Sequence, residues 1–106
     1  MTINPLISVI INCHNGEKYL SKCIKSILAQ TYKNWEIVFW DNCSTDNSKK
    51  IIKNFKDTRI KYFKSKHFTS LYAARNLALK KTKGDYVSFL DTDDWWDKKK
   101  LLKQIS

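Results

Sequence analysis

Three carboxylates, Asp91, Asp93 and Asp94, follow directly on the run Tyr86-Val87-Ser88-Phe89-Leu90. Acids crowded this closely repel one another, and a hard divalent cation bound through oxygen relieves the repulsion. Such an ion keeps waters and takes the oxygens of a diphosphate, so the implied chemistry is the handling of a nucleotide-like ligand. A plainer reading has Asp93 or Asp94 capping a helix that starts near Trp95. One acid is enough for a cap, and three are present. The apolar run before them reads as a buried strand of a parallel sheet, and open α/β sheets collect ligands at the carboxyl ends of such strands.

The elements that must position these acids alternate strand and helix. Leu6-Ile7-Ser8-Val9-Ile10-Ile11 is nearly continuous and β-branched, the mark of a strand buried on both faces. Asn12 to Gly16 ends it with turn chemistry. From Glu17 to about Gln30, apolar residues recur at Tyr19, Leu20, Cys23, Ile24, Ile27 and Leu28, the spacing of a helix with one face on a sheet. Trp35 to Trp40 predicts a second strand. Asp41 to Asp46 is the loop at its carboxyl end, where Ser44, Thr45 or Asp46 caps a helix that buries Ile51, Ile52 and Phe55. Arg59 to Phe63 predicts a short third strand near an edge, given its basic residues. A third helix runs from about Ser70 to Thr82 with Leu71, Ala74, Leu77 and Ala78 inward and Gly84 as its stop. A basic helix begins at Asp97.

Helices between successive strands imply parallel pairing through right-handed crossovers, hence a three-layer α/β/α, Rossmann-like parallel sheet. Its carboxyl edge gathers Asn12 to Asn15, Asp41 to Ser44, and Asp91 to Asp94. No glycine-rich loop follows either of the first two strands, which excludes a dinucleotide-binding Rossmann site and a P-loop. Phosphates at this edge are therefore met by a metal and not by a backbone nest.

A chain of 106 residues with 42% hydrophobic content supports one small globular domain. Cys13, Cys23 and Cys43 are odd in number and widely spaced, which argues against a disulfide framework and against zinc. Cys23 falls on the helical apolar stripe as a core residue, and no paired base marks Cys13 or Cys43 as a catalytic thiol. Met1-Thr2-Ile3-Asn4-Pro5 lacks the basic-then-apolar order of a secretory signal, and no apolar run approaches a membrane span, so the expected location is cytoplasmic. The net charge is +10. Its lysines (Lys22, Lys25, Lys49, Lys50, Lys53, Lys80, Lys81, Lys83) read as spread over helix surfaces, without one tract of interleaved aromatics. A solvated surface comes first, attraction to an anionic inner-membrane face second, and nucleic acid last.

Several stretches together resemble the amino-terminal half of family 2 glycosyltransferases. They are Ser8-Val9-Ile10-Ile11 with His14-Asn15-Gly16-Glu17-Lys18-Tyr19-Leu20, Ser26 to Tyr32, Trp40-Asp41-Asn42-Cys43-Ser44-Thr45-Asp46-Asn47-Ser48, Ala73-Ala74-Arg75-Asn76, and Gly84-Asp85-Tyr86 running to Asp91-Thr92-Asp93-Asp94. The resemblance covers nearly the whole chain. It implies a GT-A fold and transfer of a sugar from a nucleotide-diphosphate donor, a UDP-sugar above all, to a glycan or lipid-linked acceptor in cell-surface polysaccharide or glycan biosynthesis. By the same resemblance Cys13, His14, Asn15, Asp41, Asn42 and Ser44 surround the base, Arg75 lies beside the nucleotide, and Asp91 meets the ribose. Asp93 holds the metal, Mn²⁺ or Mg²⁺, with Asp94 assisting directly or through water.

The chain departs from the family pattern at two loops. Cys13-His14-Asn15 stands where Thr-Tyr-Asn is usual, and Asp41-Asn42-Cys43 where paired aspartates and a glycine are usual, leaving the Asn42 carbonyl as an acceptor for the base. His14 reads equally as a turn residue or as a stacking surface, Arg75 as a phosphate contact or a surface ion pair, and Trp95 and Trp96 as acceptor floor or core. The resemblance also implies a further half that supplies acceptor contacts and the general base. Here Glu17 and Glu36 are expected on the far side of their elements, so this chain is expected to be the donor-binding half, inactive by itself. The outer edge of the strand ending at Leu90 then lacks a partner, which predicts a homo-oligomer. A non-catalytic nucleotide-sugar-binding module and a basic nucleic-acid-binding domain are the alternatives.

Overall fold

A computed structural model describes residues 4–106. Strands β1 (Ile7–Cys13), β2 (Trp35–Asp41), β3 (Ile60–Lys64) and β4 (Tyr86–Phe89) form one parallel sheet in the order β3-β2-β1-β4. Helices α1 (Glu17–Leu28), α2 (Ser48–Asn54), α3 (Leu71–Leu79) and α4 (Lys100–Ile105) lie between or after them. The two strands with the longest β-branched and aromatic runs take the centre. Every residue of β2 and all of β1 except Asn12 are buried.

The pleat divides the core in two. Val9, Ile11, Ile37 and Phe39 face Leu20, Ile24, Ile27, Ile52 and Leu101, so α1, α2 and α4 cover one side. Ile10, Val38 and Trp40 face Ala74 and Ala78 of α3 on the other. This is the three-layer arrangement expected from the sequence, and β3 is an edge strand as its basic residues foretold. The end of α1 is tied to the start of α4 by Gln30, which is fully buried. Its Nε2 donates to the carbonyls of Ser26 (3.0 Å) and Asp97 (2.7 Å), and its Oε1 accepts from the Leu101 amide (3.0 Å).

Four expectations are corrected. β4 is not buried: Tyr86 is 56% and Phe89 43% exposed, because the sheet ends at this strand and only one side of it is paired. Leu71 does not face the core but is 54% exposed, since α3 docks through the small residues Ala74 and Ala78 while its first residue stands out beyond the sheet. The last helix starts at Lys100 and not at Asp97, whose carboxylate instead accepts from the Lys99 amide (3.0 Å).

Gly84 is the fourth. α3 ends at Leu79 with a right-handed Lys80, and no described glycine has positive φ, so Gly84 is not a helix stop. It is required by close approach. Its amide donates to Ser8 Oγ (2.8 Å), and a Cβ would stand 2.6 Å from that oxygen and 2.8 Å from the Leu6 carbonyl. Ser8 Oγ in turn donates to the buried Glu36 carboxylate (2.6 Å), which also accepts from the Lys83 amide (2.7 Å). Gly84→Ala is therefore expected to lower stability by about 1–3 kcal/mol through overpacking. A denaturant midpoint equal to that of the parent protein would contradict this contact.

Candidate functional site

From β1 the chain steps outward to β2 and β3, then returns across the sheet to β4 on the other flank of β1. The loops leaving β1 and β4 diverge, and this switch point is where a crevice opens in a doubly wound sheet. A cleft of about 470 Å³ lies here, lined by Asn12, His14, Lys18, Tyr19, Asp91 and Asp93 among others. A second cavity of about 190 Å³ shares Asn12, His14 and Leu71 with it and is closed by Cys13, Asn42, Phe68, Thr69 and Ser70. The two form one groove along the carboxyl edge.

Much of the motif-bearing sequence builds this groove without opening onto it. The β1–α1 loop and the β2–α2 loop are stapled together by reciprocal hydrogen bonds. Asn15, in the left-handed region at φ 53°, accepts through Oδ1 from the amides of Thr45 (2.7 Å) and Asp46 (3.2 Å). Ser44 Oγ accepts from the Asn15 amide (2.9 Å), Ser48 Oγ from Gly16 (3.0 Å), and the Asp46 carboxylate from Glu17 (3.1 Å). Burial alone would raise the Asp46 pKa, but the hydrogen bonds from Ser48 and from the backbone outweigh it and hold the group below the ordinary carboxylate value. The amides of residues 15, 16 and 17 are thus all taken up within the protein.

Asp41 and Asn42 are engaged in the same way. Asp41 is 1% exposed, with one carboxylate oxygen accepting from the Ser44 amide (2.9 Å) and the other from Tyr62 Oη (2.5 Å). Burial, reinforced by that bond, pushes the Tyr62 phenol pKa upward. The Asn42 side chain pairs with the Thr69 backbone, donating to its carbonyl (2.8 Å) and accepting from its amide (3.0 Å). The acceptor expected for a base is thus already occupied. Cys43 keeps φ at 58° where the family pattern has glycine.

What does face the groove is partly different from the sequence expectation. His14 remains, and its ring is oriented: Nδ1 donates to the Asn42 carbonyl (2.7 Å), and Phe68 packs edge-on at 4.7 Å. Nδ1 must carry the proton, since a carbonyl can only accept. Asn12, Lys18, Phe68, Thr69 and Leu71 are lining residues not singled out from sequence. Asn12 had one legible signal, an amide side chain directly after the apolar run Val9-Ile10-Ile11. Its Oδ1 is buried and has no hydrogen-bond partner. Arg75 is not in the groove lining; its guanidinium lies 5.3 Å from the Phe89 ring.

Asp91 and Asp93 both line the cleft, and no side-chain hydrogen bond or ion pair engages either carboxylate among the described residues. Asp94 points elsewhere: its amide closes a turn on the Asp91 carbonyl (3.0 Å), and its Oδ1 accepts from the Trp95 amide (2.8 Å). Among the described residues no three His, Cys, Asp or Glu side chains converge on one point. A divalent ion here would thus rest on two free carboxylates plus ligand and water oxygens. That donor set suits Mg²⁺ or Mn²⁺, which keep waters and share substrate phosphates.

The remaining candidates resolve simply. Cys13, Cys23 and Cys43 are free thiols. Burial raises the pKa of Cys13 and, with the nearby acids, pushes Cys23 up to about 12, the opposite of an activated nucleophile. Trp96 packs into the core, while Trp95 is 43% exposed beneath Lys22, whose Nζ stands 3.6 Å from its ring. Glu36 lies toward the amino end of β2, away from the groove as expected. Glu17 does not: it opens α1 at the carboxyl edge, but its carboxylate accepts from the Asn47 amide (3.2 Å).

A parallel α/β sheet with a cleft at its switch point is the architecture of the amino-terminal half of a GT-A fold, and the comparisons agree. The family model for glycosyl transferase family 2 matches residues 8–106, and the chain belongs to that family. It is 42% identical over 101 residues to the UDP-Glc:alpha-D-GlcNAc-diphosphoundecaprenol beta-1,3-glucosyltransferase WfgD of Escherichia coli, covering 95% of this chain and 40% of WfgD. It superposes on S. aureus TarS in complex with UDP with a TM-score of 0.88 at 30% identity, over 93% of this chain and 30% of that one. The mannosyltransferase PcManGT of Pyrobaculum calidifontis, in complex with GDP-Man and Mn²⁺, shares the fold at 24% identity with a TM-score of 0.82, over 90% of this chain and 29% of that one.

Proposed function

We propose that this chain is the donor-binding part of a glycosyltransferase that takes a nucleotide-diphosphate sugar, a UDP-sugar first, for transfer to a glycan or lipid-linked acceptor. The observation that carries the reading is the pair of uncommitted carboxylates, Asp91 and Asp93, in the cleft at the β1/β4 switch point. The smaller cavity takes the base between His14, Phe68 and Leu71, with the unpaired Asn12 amide at its floor to answer a donor on the ligand. Asp91 orients the ribose through its hydroxyls. Lys18, on the same wall, meets phosphate as a point charge. Asp93 is the carboxylate that holds a divalent metal, which when bound neutralises charge on the departing diphosphate. Cys13, Asn15, Asp41, Asn42 and Ser44 support this surface by fixing the loops that carry His14. On this reading the protein works in the cytoplasm, at the inner membrane face.

Asp93→Asn tests the assignment. It should abolish the dependence of UDP affinity on Mn²⁺ while leaving thermal unfolding unchanged, because Asp93 is exposed and makes no contact that holds the fold. A variant that still binds UDP more tightly with Mn²⁺ than without would remove Asp93 from the metal role. We also propose self-association through the unpaired edge of β4, beside the exposed Phe89 and Trp95. Light scattering at high concentration should report a dimer or larger species, and a clean 12.5 kDa monomer would contradict it.

A further inference from the structure

The positive charge of this chain is not spread evenly. Residues 58–84 hold eight of the 20 lysines and arginines and none of the ten acids, leaving the rest nearly balanced at 12 against ten. In the fold this stretch is contiguous: it is β3, the loop to α3, α3 itself and the turn into β4. Three of its lysines, Lys64, Lys66 and Lys81, are gathered at one groove. Of the eight, only Arg59 is in an ion pair among the described residues, with Asp57 at 2.7 Å.

Between α3 and β3 runs a groove of about 400 Å³, separate from the nucleotide cleft. Its floor is Trp40, Phe63 and Leu77, and Lys64, Lys66 and Lys81 stand at its rim. Lys81 leans inward, its Nζ 5.4 Å from the Phe63 ring. Along α3 the apolar side chains do not all turn inward: Tyr72 is 80% and Leu79 39% exposed. An apolar slot rimmed by lysines, with no acid in its lining, is complementary to one kind of surface, a phosphate-bearing layer over hydrocarbon. Trp40 is buried and stacked on Phe63 and offers no open ring face on which bases could stack, which favours a lipid headgroup over single-stranded nucleic acid.

We propose that the α3/β3 face seats on an anionic lipid bilayer, with Lys64, Lys66 and Lys81 meeting headgroup phosphates and the Trp40–Phe63–Leu77 groove taking apolar lipid surface. Clustered basic residues draw a protein to anionic lipid additively and in a salt-dependent way. The proposal stands apart from the nucleotide reading, and its failure would leave that reading intact. Because the groove adjoins the loop that carries Phe68, such seating holds the donor cleft beside the lipid surface.

Sedimentation with vesicles of phosphatidylcholine alone and with 30% phosphatidylglycerol tests it. The parent protein should bind the anionic vesicles at least tenfold better, and high salt or the triple variant Lys64→Glu, Lys66→Glu, Lys81→Glu should remove that preference. A control triple reversal of equal charge on α2, Lys49→Glu, Lys50→Glu, Lys53→Glu, should keep most of it, which separates the patch from net charge. Glycerol phosphate at millimolar concentration should not compete if a surface, and not a single phosphate, is bound. Equal loss in both triple variants, release by free glycerol phosphate, or displacement of vesicles by an equimolar 20-nucleotide single strand would overturn the proposal.

Discussion

Incubated with a UDP-sugar and an acceptor, the 106-residue chain is expected to release UDP only slowly and at a rate independent of the acceptor. The cleft contains two carboxylates, Asp91 and Asp93, and the proposed function assigns both to the donor side. Beside the first loop, Glu17 has its carboxylate tied to the Asn47 amide, and Asp46 has its own tied to the amides of Glu17 and Ser48. Glu36 is buried toward the opposite edge beneath Ser8 and Lys83. A positioned general base is worth roughly 10²–10⁴-fold. Orienting the acceptor for attack contributes as much as about 7–11 kcal/mol more. Missing both terms leaves little beyond donor hydrolysis. A coupled assay for released UDP decides the matter, and acceptor-dependent turnover near 1 s⁻¹, ordinary for enzymes, would mean that a base in the cleft has been overlooked.

The second large effect is on stability. Asp41→Ala should cost about 3–6 kcal/mol, since two hydrogen bonds to a buried carboxylate, each worth roughly 1.5–3 kcal/mol, lose their acceptor. Against a typical domain stability of about 5–15 kcal/mol, that is a large share of the whole. Asp41→Asn keeps one acceptor oxygen and should cost about half as much. Denaturant titration gives both numbers. An Asp41→Asn protein as stable as the parent but blind to UDP would instead make Asp41 a ligand contact, as the family resemblance implied.

That contrast marks the border of what sequence could tell. Secondary structure and layering were legible because burial writes itself as periodicity: β1 and β2 are continuous apolar runs, and α1 repeats its apolar residues along one stripe. The edge position of β3 followed from its basic residues. β4 was misread because an apolar run says that a strand exists, not how many neighbours it has. The site region was also legible, since chain order alone sends the acids and the first two loops to one edge. Roles within it were less so. Asn15, Asp41, Asn42 and Ser44 have the side chains of ligand-binding residues, and those same donors and acceptors are what two adjoining loops need to satisfy each other. Which use prevails depends on a partner 21 to 31 residues away, such as Tyr62 for Asp41, Thr69 for Asn42 or Asp46 for Asn15. Conversely Phe68 and Leu71 looked like loop filler and core, and they wall the groove instead.

The central claim is that the β1/β4 cleft holds a nucleotide diphosphate through a metal on its free carboxylates. Calorimetric titration of the parent protein with UDP, once with Mn²⁺ and once with excess chelator, tests it most directly. Unneutralised, Asp91 and Asp93 repel the diphosphate, so affinity should rise at least several-fold with the metal. Equal affinity in the two titrations, or no binding in either, would contradict the account.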